Sequence, residues 1–485
     1  MHGLFGAFLL ALCLQVQAAP AWIKVEGRHL VAAGKPLQLR GVNLGNLLLQ
    51  EDFLFGLHGT HSQMRAAIQA VLGKRADIFW DAYEDQYFTD ADAAFLRARG
   101  FNLLRLPFNQ NRLEDPNHPG RYDSAALARI DRVIDICARH GIYVMLDLHA
   151  VNGGQSRENY ADATTGEPLF WQQADMRERA TQLWEFLARR YRDNPAVAGY
   201  DLINEPHTEG RTPILTDWLR TTLRRVRAID TRHVVWLSGD EWGGGLVGLT
   251  PDLWQAPQVA FQFHMYPGWT YPWARMDGYP ATVDGVRYDA AWLRQRLAAI
   301  IAFGRQRPMF LGETGFSTGS SREPQLQAAL KDLLALANAE HWSWAQWTYK
   351  DIGQMGMVSP RRDSPWQQLV RSDAAQKERA KLAGLVAVRG VRGTDPALPA
   401  LVSSLSDRPE VDQRAIGARV RRPLDELLSR AIARPMAALS DDALRALAGS
   451  FSLANCVENP AVIGPFADAA LAHRTPSRDA GPTTP

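Results

Sequence analysis

Short apolar segments alternate with longer amphipathic segments between about residues 37 and 351. The apolar segments lack strict polar/apolar alternation, which is typical of strands that a parallel sheet buries on both faces. Eight of them predict strands, at residues 37–46, 102–108, 143–150, 197–206, 233–242, 259–267, 308–316 and 342–351. Helical patterns separate most of these segments; they include residues 124–140, 175–191, 217–228, 290–303 and 325–339.

Eight strands with intervening helices predict a (β/α)8 barrel of the α/β class. A doubly wound open sheet is the alternative. That fold places a glycine-rich phosphate loop after its first strand, and this chain has none there. Two short strand-like pieces within residues 22–37 predict a hairpin that covers the bottom of the barrel.

The two ends of the chain differ in character from the barrel segment. Residues 3–14 form an apolar run too short to span a membrane, and Val16, Gln17 and Ala18 suit signal-peptide cleavage. We therefore expect residues 1–18 to be a signal peptide, removed on export to the periplasm or the extracellular space. At the other end, residues 474–485 are rich in Pro, Thr and Ser and predict a disordered tail.

The barrel domain is expected to span residues 19–388, and a helical run ending near residue 387 is expected to supply the last barrel helix. Gly390, Gly393 and Pro396 then interrupt the pattern. Residues 389–473 are predicted to form a helical extension, with helices at about 409–433 and 440–450.

Composition narrows the class of protein. Lys plus Arg number 54 and Asp plus Glu 52, so the net charge of +2 argues against a nucleic-acid binder. Removal of the signal peptide leaves Cys137 and Cys456. Two thiols provide neither a disulfide framework nor the spacing of a metal site, and whether they pair stays open.

Polar side chains cluster where the predicted strands end. In a (β/α)8 barrel the C-terminal strand ends meet at one mouth, which carries the catalytic groups. Burying such groups is costly unless they have partners or a purpose. The pattern therefore predicts a functional site that comprises Asn43, Arg105, His149, Asn204, Glu205, His264, Tyr266, Glu313 and Trp347.

Two carboxylates, Glu205 and Glu313, end the fourth and seventh strands. Glycoside hydrolysis needs such a pair, one to protonate the leaving oxygen and one to attack the anomeric carbon or activate water. Arg105 and Tyr266 could hold Glu313 ionised by charge and hydrogen bonding. The alternative is that the two glutamates are structural ion-pair partners.

Other residues of this set have substrate-binding interpretations. Asn204 could hydrogen-bond a sugar 2-hydroxyl, His149 and His264 could act as neutral hydrogen-bonding groups, and Trp347 could form an apolar floor. The histidines could instead be satisfied core residues, and Trp347 could be plain core.

Two loops add further candidates. Glu51 follows the first strand and is either a sugar contact or a surface acid. The loop after the sixth strand is dense in aromatic residues, which suits either a binding surface or packing of the loop on itself. These residues are Trp269, Tyr271, Trp273 and Tyr279.

The order and spacing of five motifs resemble glycoside hydrolase family 5. They are LLRLPF (103–108), DLHAVNGGQS (147–156), LINEPH (202–207), FHMYP (263–267) and FLGETGF (310–316). The resemblance implies retaining hydrolysis of β-linked glycosides without metal or cofactor. It also implies that Glu205 is the general acid/base and Glu313 the nucleophile. The family's other active-site positions match Arg105, His149, Asn204, His264, Tyr266 and Trp347.

The segment RGVNLGNLLLQED (40–52) resembles the opening of the exo-β-1,3-glucanase branch, although Leu47 replaces that branch's Trp. The resemblance implies that Glu51 grips a terminal sugar. We therefore expect a secreted monomer that acts on a β-linked oligo- or polysaccharide or glycoside, as an exo-β-glucanase or a β-glucosidase-like enzyme, with no nucleic-acid partner and no membrane span. The alternatives are an endo-β-1,4-glucanase or mannanase, a non-catalytic carbohydrate-binding barrel, and a phosphate-ester or sugar-phosphate enzyme. The last of these should have glycine-rich loops after strands seven and eight, which Gly315, Gly319 and Gly353 do not form convincingly.

Overall fold

The computed structural model describes residues 20–472 except 116, 389–390 and 392–394. The predicted signal peptide and the predicted disordered tail lie outside these residues. The described strands are β1 (Ile23–Glu26), β2 (His29–Ala32), β3 (Lys35–Leu37), β4 (Arg40–Asn43), β5 (Leu103–Asn109), β6 (Tyr143–Ala150), β7 (Val197–Asp201), β8 (Val234–Ser238), β9 (Val259–His264), β10 (Ala281–Val283), β11 (Val286–Tyr288), β12 (Met309–Thr314), β13 (Ser343–Gln346), β14 (Val358–Pro360) and β15 (Cys456–Glu458).

Most helices in the described part of the chain lie around the outside of the strands. They are α1 (Asp52–Phe55), α2 (His61–Leu72), α3 (Ala76–Tyr87), α4 (Asp90–Ala98), α5 (Gln110–Leu113), α6 (Ser124–Arg139), α7 (Ala174–Tyr191), α8 (Thr212–Arg227), α9 (Pro251–Gln255), α10 (Pro267–Thr270), α11 (Ala290–Arg296), α12 (Ala298–Gly304), α13 (Glu323–Ala339), α14 (Pro365–Arg371), α15 (Asp373–Ala383), α16 (Ala397–Leu405), α17 (Pro409–Ala433), α18 (Asp441–Ala448) and α19 (Pro460–Leu471).

Eight strands form a closed parallel barrel, which confirms the predicted (β/α)8 fold. Their order around the barrel is β4, β5, β6, β7, β8, β9, β12 and β13, and β13 pairs with β4 to close it. Every residue of β5 and β6 is buried, as expected for strands covered on both faces. Several strands are shorter than predicted: β7 ends at Asp201, and residues 202–206 leave the sheet toward the mouth.

The bottom of the barrel is closed by the antiparallel sheet β1–β2–β3. Ile23 and Leu30 pack there against barrel residues that include Leu103 and Phe310. The predicted hairpin is therefore confirmed, and β3 adds a third strand by pairing with β2. Gly34 has a φ of +71° in the turn between β2 and β3, a conformation that glycine adopts without strain.

The C-terminal helices are integral to the fold. Helix α17 matches the predicted helix at 409–433 and packs along α2. Helix α19 packs on α13 and against β13, where the ring of Phe466 lies 5.8 Å from that of Trp344. Asn338 of α13 also donates a 3.1 Å hydrogen bond to the carbonyl oxygen of Ala469.

Helix α19 therefore occupies the outer layer beside the last barrel strand. The expectation that the run ending near residue 387 supplies this helix is wrong. This run forms helices α14 and α15, which pack on α17 and α18. Helix α19, by contrast, has the apolar sequence PAVIGPFADAAL and packs on α13, with Val462 and Phe466 buried. The more apolar segment takes the more buried place, although it lies over a hundred residues from β13 in sequence.

Both cysteines are buried and unpaired: Cys137 lies in α6 and Cys456 begins β15. The open question of their pairing is thus answered. Among the described helices, none combines the length and the apolar character needed to cross a bilayer.

Candidate active site

A pocket of about 740 Å³ opens at the C-terminal ends of the barrel strands. It brings together most of the residues predicted from the strand ends and the two loops. Glu51, His149, Glu205, His264, Tyr266, Trp269, Glu313 and Trp347 line it. Arg105 and Asn204 are buried beneath these residues, where they hydrogen-bond to each other.

Glu313, on β12, is held by two donors on opposite sides of its carboxylate. The Arg105 guanidinium donates a 2.9 Å hydrogen bond to Oε1, and the Tyr266 hydroxyl donates a 2.7 Å hydrogen bond to Oε2. Both contacts favour the ionised carboxylate and fix its plane. This arrangement suits a carboxylate that attacks an electrophile.

Arg105 is fully buried and is surrounded by further acids. Its Nε donates to Asp201 at 2.9 Å, and its Nη2 lies 3.0 Å from Asp147. Burial opposes its charge, but these two carboxylates together with Glu313 raise the pKa of Arg105 above its ordinary value. Sequence reasoning assigned no role to Asp147 or Asp201; the available signal was an acid inside the otherwise apolar strands YVMLDLHA and VAGYD.

Glu205 lies across the pocket in a different environment. Burial raises the pKa of its carboxyl group. Oε1 of Glu205 is 2.7 Å from Nδ1 of His264, and the same nitrogen is 3.5 Å from Oε2 of Glu313. Burial lowers the pKa of His264 to about 3, so this imidazole is neutral near pH 7.

The backbone of Glu205 has a φ of +40°, in the left-handed region that residues other than glycine seldom adopt. Such conformations occur at functional sites, where the surrounding structure holds them in place.

The two glutamates are close together. An oxygen of Glu205 lies within 4.8 Å of an oxygen of Glu313. Carboxyl groups about 5–5.5 Å apart are typical of retaining glycosidases, whereas inverting enzymes need about 6.5–9.5 Å to admit a water molecule. The geometry therefore suits direct attack by one carboxylate.

His149 and Trp347 form a stacked pair beside the carboxylates, with ring centroids 5.1 Å apart. The Asn204 amide donates to Nε2 of His149 at 3.2 Å, so Nδ1 carries the proton and donates to Asp147 at 2.7 Å. Burial lowers the pKa of His149 to about 4, which keeps the ring neutral. Asn204 thereby joins His149 to Arg105, to which its Oδ1 is bonded at 2.9 Å.

Some of the candidate residues in the two loops line the pocket, and others are buried in the protein. Glu51 is only 6% exposed, and its carboxylate lies 3.9 Å from Nε2 of His149, so it belongs to the pocket wall. Trp269 is 82% exposed and stands at the rim against Tyr266. Tyr271 and Trp273 are buried and pack on neighbouring rings, so this part of the loop packs on itself.

Within the described residues, two groups of side chains come close enough to share a metal ion: Glu205, His264 and Glu313, and His207, Asp240 and Glu241. In the first group the Glu313 oxygens already accept hydrogen bonds from Arg105 and Tyr266. In the second group Asp240 accepts from the Thr208 backbone N–H at 2.9 Å and from the Thr212 hydroxyl at 2.7 Å. Protein donors therefore already contact Glu313 in the first group and Asp240 in the second.

Known proteins with similar sequences are glycoside hydrolases. The family described as "Cellulase (glycosyl hydrolase family 5)" matches residues 62–353. A β-xylosidase of Phanerodontia chrysosporium is 34% identical over 466 residues, which cover 90% of this chain and 96% of that protein. The chain belongs to glycoside hydrolase family 5.

More distant relatives agree on the class of enzyme. A probable glucan 1,3-β-glucosidase A of Emericella nidulans is 29% identical over 224 residues, covering 44% of this chain and 55% of the relative. The crystal structure of an endogalactoceramidase has the same fold, with a TM-score of 0.50 and 19% identity over 68% of this chain and 75% of that one. This family 5 protein is a glycoside hydrolase that acts on β-glycosides.

Proposed function

We propose that this family 5 enzyme hydrolyses β-glycosides with retention of configuration, using Glu313 as nucleophile and Glu205 as general acid/base. The observation that carries the proposal is the short distance between the two carboxyl groups, within 4.8 Å at their nearest described atoms. Their environments also differ. Arg105 and Tyr266 stabilise the charged form of Glu313, while burial raises the pKa of Glu205 and favours its protonated form.

In the first step the Glu313 carboxylate attacks the anomeric carbon, and the bond from that carbon to the glycosidic oxygen breaks. Glu205 gives its proton to this oxygen, so the aglycone leaves as a neutral alcohol. The products are a glycosyl ester on Glu313 and a Glu205 carboxylate.

In the second step the Glu205 carboxylate takes a proton from water, and the water oxygen attacks the same carbon. The ester bond to Glu313 breaks, and both glutamates return to their starting protonation states. Two inversions leave the released sugar in the β configuration. His264, neutral and beside both carboxyl groups, positions Glu205 through both steps.

The substrate we propose is the terminal sugar of a β-glucoside or a β-xyloside. The β-glucoside follows from the exo-glucanase-like segment at 40–52 and the glucan 1,3-β-glucosidase relative. The β-xyloside is favoured by the β-xylosidase relative, which the alignment covers almost completely. Glu51, buried beside His149, supports exo action because a carboxylate in the pocket wall can accept hydrogen bonds from the hydroxyls of a terminal sugar.

We also propose that the enzyme is exported and monomeric, with the substrate as its partner. The apolar run at 3–14 and the small residues ending at Ala18 support export. Mass spectrometry of the protein from its native host should find a mature N-terminus near Ala19, and an intact Met1 would contradict removal of a signal peptide.

The mechanism is tested by the stereochemistry of the first product. Proton NMR should show the β anomer before mutarotation. A 2-deoxy-2-fluoro β-glycoside should label Glu313, as located by peptide mass spectrometry. Early release of the α anomer, or a label on another residue, would overturn the assignment.

A further inference from the structure

A second chamber, of about 930 Å³, adjoins the catalytic pocket. The two spaces share part of their walls, so they lie side by side. The shared residues are Glu51, Phe53, Glu158, Tyr160 and Trp242. Because Glu51 lies beside His149, a substrate held at the carboxylates is within reach of this second space.

The outer wall of this space comes from the C-terminal helices. Leu398 and Pro399 of α16 and a stretch of α17 from Gln413 to Arg422 face it. We call this space the helix-walled chamber. Gly417 lies in α17, and a Cβ atom built on it meets nothing within 4 Å, so this part of the helix leaves the chamber open.

Direct bonds hold α17 against the loops that carry the shared wall. Arg422 is buried; its guanidinium donates to the carbonyl oxygen of Ala163 at 3.0 Å and bonds Asn159 as well. Asn159 in turn donates to Asp52 at 2.7 Å, next to Glu51. The chamber is therefore a built part of the mouth, with its wall fixed relative to the catalytic pocket.

The lining suits a neutral ligand that has both apolar faces and hydroxyl groups. Four basic side chains face the chamber against four acidic ones, so its charges balance: Arg157, Arg414, Arg421 and Arg422 against Glu51, Asp52, Glu158 and Glu209. Phe53 and Trp242 offer aromatic surface. Asn159 and Gln413 add amides, which hydrogen-bond neutral groups.

Tyr160 stands on the boundary between the two spaces. Its hydroxyl is buried and lies beside the carboxyl group of Glu205. Its ring packs edge-on against His149, with centroids 5.9 Å apart. Tyr160 therefore lies next to the catalytic groups at the point where a bound chain would pass from one space to the other.

We infer that the helix-walled chamber binds a second, neutral sugar unit of a β-linked substrate, so that α17 of the helical extension forms part of the substrate-binding site. The inference rests on the proposed function. It extends that function from the cleavage of one terminal bond to the recognition of the sugar next to it.

The test fills the chamber from α17. Gly417→Trp projects a ring into open space without a backbone penalty, because Gly417 has helical dihedrals. Leu427→Trp is the matched control, since Leu427 lies in the same helix, is 60% exposed and does not line the chamber. Gly417→Ala and Gly417→Leu complete a graded series and replace the Trp variant if circular dichroism shows that it does not fold.

Each variant is assayed on an aryl β-glycoside of one sugar and on a β-linked trisaccharide of the same sugar. For Gly417→Trp, kcat/KM on the trisaccharide should fall by about tenfold or more, while its kcat/KM on the aryl glycoside stays within about twofold of wild type. The Leu427→Trp control should stay within about twofold of wild type on both substrates. The loss should grow from Ala through Leu to Trp. Unchanged trisaccharide hydrolysis, or an equal loss on both substrates, would overturn the inference.

The two proposals fail in different ways. A wild-type enzyme that cleaves neither substrate contradicts the proposed function. A wild-type enzyme that cleaves both, and whose Gly417 variants do not distinguish them, contradicts only the role of the chamber.

Discussion

Replacing Arg105 by Met removes the one cation that three buried acids share. Arg105 contacts Glu313 at 2.9 Å, Asp201 at 2.8 Å and Asp147 at 3.0 Å, and its side chain is wholly inaccessible to solvent. Met has a similar length but no charge and no donor. The variant therefore leaves Asp147 and Asp201 fully buried without this cation, beside the Glu313 carboxylate in the pocket wall.

The expected cost is about 3–5 kcal/mol in the free energy of unfolding near neutral pH, the usual penalty for removing one partner of a buried ion pair. The cost should depend on pH. Burial already raises the pKa of Asp147 to about 7 and that of Asp201 well above its ordinary value, although Arg105 opposes both shifts.

Without Arg105 these pKa values rise further. A group whose pKa is higher in the folded than in the unfolded state stabilises the fold at low pH, and that stabilisation is lost as pH rises through the folded pKa. The variant should therefore be less destabilised near pH 5 than at about pH 7.5 and above. The loss of the Arg105 hydrogen bonds to Asn43, Asn204 and Glu313 persists at both pH values.

Urea unfolding followed by tryptophan fluorescence at about pH 5 and about pH 7.5 measures this difference. Arg105→Lys is the comparison, because it keeps the charge but loses the fork that bonds several acceptors at once. It should be less destabilised than the Met variant at the higher pH. A Met variant that loses less than about 1 kcal/mol at both pH values would refute the idea that Arg105 neutralises this cluster.

Three further outcomes follow from the site. Glu205→Gln should lower the rate of hydrolysis of alkyl β-glycosides by about 10²–10⁴-fold but spare the first step on dinitrophenyl glycosides, and added azide should restore turnover. An equal loss of rate on both substrates without rescue by azide would count against Glu205 as the acid. In the wild type, kcat/KM should fall as pH rises through the raised pKa of Glu205, and this alkaline limb should vanish in Glu205→Gln assayed on the activated substrate; its persistence would assign the limb to another group. Glu51→Ala should raise KM and lower kcat together while the wild type releases monosaccharide from the start; a rapid drop in viscosity with mixed oligomers as products would instead indicate endo action.

The side chains at the strand ends could be found from sequence, because the alternation of apolar and amphipathic segments locates each strand. Glu313 ends an apolar segment, and parallel strands in a closed barrel bring such ends to one mouth. Asp147 lies inside β6 and Asp201 ends β7, yet both contact the same Arg105, a convergence that depends on strand register around the barrel. No local sequence pattern determines that strand register.

The aromatic loop after β9 shows the same limit at shorter range. Composition indicated either a binding surface or packing, and the structure contains both: Trp269 is exposed at the rim, while Trp273 is buried and donates from its indole nitrogen to the Pro267 carbonyl oxygen at 2.8 Å. In the same loop, the ring of Tyr271 is buried by Tyr288 and Trp292, which come from later elements.

By itself, the sequence determined the eight barrel strands, the family and the residues at the mouth, because hydrophobic periodicity and motif spacing are local properties of the chain. Only the tertiary structure decided that α19 closes the barrel's outer layer and that α17 walls a second chamber beside the carboxylates. Those placements depend on which distant apolar surfaces fit together best. Burial free energy acts between surfaces in space, whatever their separation along the chain.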